Sequence, residues 1–165
     1  MIEVLKALEE SLSEEIRLER TLLGVGTRKR DALVSLDLRE VEQATSQEHN
    51  LLVALGGSAE RRMRRTSDAA RLLGLPDAEA SVTRVAQRAG EPWSARLLAQ
   101  AGELRDTLRS VSRVNAANSQ LAQQSIGHVQ RFFLVLSGQK DEVTYTRRGT
   151  GRRPEIRKIM IDQVI

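Results

Sequence analysis

WSARLLAQAGELRDTLRSVSRVNAANSQLAQQSIGHVQRFFLVL, from Trp93 to Leu136, contains no proline and only two glycines, Gly102 and Gly127. As one helix it spans about twelve turns and roughly 65 Å. Taken in sevens it gives Leu97, Leu104, Val111, Asn118, Ser125 and Phe132. A second row, four residues on, gives Ala101, Leu108, Asn115, Ala122, Val129 and Leu136. Together the rows make one stripe, the pattern of a helix seated on other helices along its whole length. The stripe starts aliphatic and turns polar at Asn115, Asn118 and Ser125. It ends in the densest apolar run of the chain, which holds both phenylalanines, Phe132 and Phe133.

The rest of the 165 residues fits the same architecture. The chain is 2% aromatic and 29% charged with 3 prolines, a balance that suits an all-α bundle or coiled coil better than a sheet protein. In the first segment Leu5, Leu8, Leu12, Ile16, Glu19 and Leu23 step by three and four, with Glu19 the one polar member. Gly24-Val25-Gly26 is a soft place, each glycine costing about 1 kcal/mol against alanine in a helix. One long helix with a bent middle is expected there, with a full break as the alternative. Asp37 to Glu40 has the form of a capping box opening a second helix. That helix would carry Val41, Ala44, Glu48, Leu51, Leu52, Leu55, Ala59, Met63, Ala70 and Leu73. Gly56-Gly57 is a further soft spot in it. Arg61, Arg62, Arg64 and Arg65 suggest a solvated face rather than an anion site. Gly74-Leu75-Pro76-Asp77 ends the helix. A short helix over Ala78–Ala89 follows, and Gly90-Glu91-Pro92 launches the long one, with Trp93 stapling the bundle end.

The expected fold is therefore a bundle of long antiparallel helices with coiled-coil-like packing, three long and one short, over residues 1–138. Residues 139–165 are expected to form a mobile basic tail with a short amphipathic segment at Ile156, Ile159, Met160 and Val164, too short to be stable alone.

Charge is uneven. Residues 1–20 hold six acids and three bases, whereas residues 139–165 hold seven bases and four acids. A basic tail raises nucleic acid as a partner, but its single aromatic, Tyr145, offers no series of stacking platforms. Cysteine is absent, so disulfides and thiolate metal sites are excluded. His49 and His128 have no second ligand at metal spacing. Phosphate-binding loops and nucleophile motifs are missing. No catalytic, cofactor or metal site is expected, and neither a signal peptide nor a membrane span, which places the chain in the cytoplasm.

Two stretches carry a resemblance. Arg30-Asp31-Ala32-Leu33-Val34-Ser35-Leu36-Asp37-Leu38-Arg39-Glu40-Val41-Glu42-Gln43-Ala44-Thr45 is similar to the turn between the first two helices of FlgN-type flagellar export chaperones. Asn115-Ala116-Ala117-Asn118-Ser119-Gln120-Leu121-Ala122-Gln123-Gln124-Ser125, with its apolar sequel, resembles that family's last helix. Tyr145-Thr146-Arg147-Arg148-Gly149 loosely matches its tyrosine-containing tail, without the acid that often follows the tyrosine. Glu48-His49 stands where the family usually has a lysine or arginine. The resemblance covers residues 1–149 in order and spacing. It implies an all-helical protein that binds the C-terminal segment of hook–filament junction proteins, prevents premature assembly and delivers them to the export apparatus.

The residues expected to meet such a partner are Asn115, Asn118, Leu121, Ile126, Val129, Phe132, Phe133, Leu136 and Tyr145. Plain core is the competing reading of the apolar ones, and the Ile156–Val164 segment is a candidate cover for them. Asn115, Asn118 and Ser125 either fix helix register or bond the client backbone. A self-associating coiled-coil adaptor remains the main alternative function, and a basic-tailed nucleic-acid binder a lesser one. A stripe this narrow suits a monomer or a homodimer.

Overall fold

The computed structural model describes residues 1–136, and the side chains of 1–134. The expected basic tail with Tyr145 and the Ile156–Val164 segment lies outside the described residues. Three long helices are present, α1 (Ile2–Ser35), α2 (Leu38–Leu72) and α4 (Trp93–Leu136), with one short helix, α3 (Val82–Ala89). No strand occurs among the described residues. The chain divides into two compact units, Met1–Gly127 and His128–Ile165. The first holds the bundle, and the described part of the second is helical to Leu136.

In the first unit, side-chain bridges set the helix directions. Glu14 and Glu15 of α1 meet Arg61 and Arg62 of α2 at 3.1 and 2.6 Å, whereas Lys29 meets Glu48 at 2.6 Å. Partner numbers fall as α1 rises, so α1 and α2 are antiparallel. Along α4, Arg96 meets Glu9 at 2.6 Å, Gln100 donates to Ser13 at 2.7 Å and Asn118 to the Gly26 carbonyl at 2.8 Å. Those numbers rise together, so α4 runs parallel to α1, and the bundle goes up, down and up. The arginines of α2 are in part the expected solvated face, since Arg61 and Arg64 are exposed, while Arg62 and Arg65 are half-buried. Arg61 and Arg62 bridge to acids of α1, Arg64 pairs with Glu60, and Arg65 donates to the Ala7 carbonyl.

The corner between α1 and α2 is tight. Asp37 caps α2 by accepting from the Glu40 amide at 3.0 Å. Glu40 does not close a capping box; its carboxylate lies 3.8 Å from Arg28. Leu36 takes the left-handed conformation, φ 58°, where glycine is the usual residue. The short helix expected at Ala78–Ala89 divides into a 3₁₀ turn, Asp77–Glu79, and α3, because the Ser81 hydroxyl accepts from the Arg84 amide and starts the helix there.

Two apolar clusters form the core. One joins Leu5, Leu8, Leu12 and Ile16 of α1 to Ala69 and Ala70 of α2, Val85 and Ala86 of α3, and Leu97 and Leu104 of α4, with Trp93 packed against it. Among the described residues the other holds Leu18, Leu22, Leu55 and Val111, with Leu23 and Leu51 packed against it. Between them lies a polar step. Glu15 is bonded to Arg62, and one turn on, Glu19 is 7% exposed with an oxygen lacking any hydrogen-bond partner. Burial, and secondarily the Glu15 charge, hold the Glu19 carboxyl above the usual carboxylate range.

α1 passes unbroken through Gly24-Val25-Gly26. The two glycines differ. Gly24 is exposed and a methyl there would meet nothing, whereas a methyl on Gly26 would lie 3.1 Å from Val114 Cγ1. Gly26 is therefore where α4 closes onto α1. Gly24→Ala should raise stability by about 0.5–1 kcal/mol through helix propensity. Gly26→Ala should give none of that gain, since the Val114 methyl must shift. Thermal melts of the two variants compare them directly.

Candidate functional site

The first heptad row of α4 is the seated one. Leu97, Leu104, Val111 and Asn118 are buried. The second row is not uniformly buried: Ala101 and Ala122 are half-buried, and Leu108 and Asn115 face solvent. The flank that packs instead is Gln100, Thr107, Val114 and Leu121, three residues on from the seated row, all half-buried.

Asn118 is 6% exposed, and its Nδ2 donates to the Gly26 carbonyl. This bond favours the register role, because it ties one level of α4 to one level of α1. It also fixes the amide's orientation, since a flipped amide would set two oxygens against each other. Asn118 Oδ1 is then buried and without a hydrogen-bond partner. Ser125 spends its hydroxyl on the Leu121 carbonyl at 3.0 Å.

Beside Asn118 a cleft of about 340 Å³ opens among three helices. Leu22 and Leu33 of α1, Val41 and Leu52 of α2, and Ala122 of α4 line it. The Lys29–Glu48 pair borders it. Sequence reading missed this cleft, because its walls come from three separated stretches. Leu52 falls on the apolar period of α2 and is 57% exposed. The only signal was Asn118, a polar residue inside an apolar row.

The partner-binding candidates farther along α4 are surface residues. Ile126 is exposed in the first unit. In the second unit Val129, Phe132, Phe133 and Leu134 are exposed, the phenylalanines at 62% and 64%. Sequence placed Phe132 in the core stripe; both rings face out. The plain-core reading of these residues therefore fails within the described residues. Leu136 is in α4, but its side chain, like Tyr145, lies outside what is described. A further apolar surface, missed in sequence, sits at the α1–α2 corner, where Val34, Leu36 and Leu38 are exposed.

Among the described residues no group of three or more acids or histidines is placed to hold a metal ion. No helix among them is long and apolar enough to cross a membrane.

The family described as FlgN protein matches residues 1–153. No curated protein and no solved structure matches the chain.

Proposed function

The chain belongs to the FlgN family of flagellar export chaperones, matched over residues 1–153, and from that premise we propose that it holds the C-terminal segment of hook–filament junction proteins in the cytoplasm before their export. The role is to bind and deliver, with no reaction catalysed. The observation that carries this reading is the exposed apolar end of α4: Val129, Phe132, Phe133 and Leu134. Two exposed phenylalanines on successive positions cost solvation in a free protein, and contiguous apolar surface of this kind marks a site for a partner. A client segment that is disordered alone and helical when bound would bury it by laying its own apolar face against α4.

Phe133→Asp tests the assignment. The side chain is exposed, so the melting temperature should stay within the small range of surface substitutions. Affinity for a client C-terminal peptide should fall roughly thirtyfold, the loss of one aromatic anchor. Unchanged affinity would move the client off this end of α4.

A further inference from the structure

The cleft beside Asn118, within the first unit, offers a second contact. We propose that it seats one amphipathic helical segment of the client, whose apolar face carries a single hydrogen-bond donor, an amide or hydroxyl, directed at Asn118 Oδ1. This inference rests on the chaperone reading and deepens it, since it states what the client must present.

Three observations carry it. The first is the acceptor itself. Asn118 is 6% exposed, its Nδ2 is committed to Gly26, and its Oδ1 is buried without a partner. A buried acceptor left unbonded is costly, and a register device needs only the bonded half of the amide. The second is the space. The cleft of about 340 Å³ is lined by Leu33, Val41 and Leu52 together with Asn118, and Asn115 and Ser119 stand beside Asn118 in the same lining. The third is the uneven number of helices along the bundle. The cluster near the start of α1 includes a fourth element, since α3 supplies Val85 and Ala86, both fully buried. Among the described residues the cluster at Leu22, Leu55 and Val111 draws on three helices. A fourth apolar helix face is what the cleft can accept, in the helix-in-groove manner. The acceptor sets the polarity: a purely apolar occupant would leave Oδ1 unsatisfied, and a carboxylate would repel it.

The test uses the full chain and a C-terminal peptide of a hook–filament junction protein. Ala122→Leu extends an apolar side chain at the cleft and leaves Asn118 and Gly26 themselves unchanged. It should weaken binding roughly tenfold while the melting temperature holds. Leu52→Glu, at an exposed position on the rim, should do the same, so the result does not rest on one variant. In amide NMR spectra of the isotope-labelled protein, the Asn118 side-chain signals, assigned by their loss in Asn118→Ala, should shift on addition of peptide. Peptide binding with wild-type affinity in both cleft variants, with the Asn118 signals unmoved, would overturn the cleft proposal and leave the chaperone reading standing. Failure of the peptide to bind the wild-type chain would overturn both.

Discussion

Arg62→Ala should destabilise the bundle by about 2–3 kcal/mol at pH 7, and much of that loss should vanish toward pH 4–5. Arg62 Nε meets Glu15 Oε2 at 2.6 Å, and the Glu15 side chain is 6% exposed. Removing the guanidinium strands that carboxylate between two helices. Arg62 itself is about a quarter exposed, which keeps the cost below that of a fully buried pair. One turn along α1 lies Glu19, also buried, with a carboxyl already raised by burial and by the Glu15 charge. Without Arg62 the Glu15 charge beside Glu19 is uncompensated, and the Glu19 carboxyl should bind its proton more tightly still in the folded chain than in the unfolded one. A raised folded value favours folding at acid pH, and that contribution is lost as pH rises through it. The difference between variant and wild type should therefore shrink as pH falls. Denaturant unfolding of both proteins at pH 7 and pH 4.5 checks this; a difference independent of pH would mean that Arg62 acts through packing alone.

Leu97→Ala should cost about 2–5 kcal/mol, the range for a fully buried leucine cut back to alanine. Leu97 is 0% exposed and joins α4 to the cluster that also holds Leu8, Leu12 and Val85. Leu108→Ala, from the other heptad row, should cost far less, because Leu108 is 43% exposed. Chemically the two substitutions are identical. Their difference in unfolding free energy measures which row of α4 is seated, and equal costs would contradict the packing described.

That contrast shows where sequence was informative. The stepping of Leu5, Leu8, Leu12 and Ile16, the Asp37 cap and the Gly74 stop fixed three long helices and a short one, because local backbone chemistry determines helix ends. The depth of each residue was less legible. Period alone cannot separate Leu104 from Leu108 when a helix has two neighbours, since which flank packs depends on how those neighbours are placed. The same holds for Leu52 and Met63 on α2, which fall on the apolar period yet are exposed. Gly26 reads as a weak point in sequence, because the approach of Val114 is visible only in the fold. At the site, Asn118 stands out as polar among apolar residues, but only its bond to Gly26 separates its two halves, one bonded and one buried without a partner. The end of α4 reads in sequence as the densest apolar run of the chain, and its phenylalanines are exposed.

The central claim is that this chain holds one client segment chiefly by apolar burial. Calorimetric titration of the full chain with a C-terminal peptide of a hook–filament junction protein, at two salt concentrations and several temperatures, tests it most directly. The expected result is saturable binding with a negative heat-capacity change and an affinity that barely alters with salt. Absence of binding at high micromolar peptide, together with a stable self-associated form of the chain, would contradict it and favour a structural adaptor; an affinity falling steeply with salt would contradict the apolar basis of recognition.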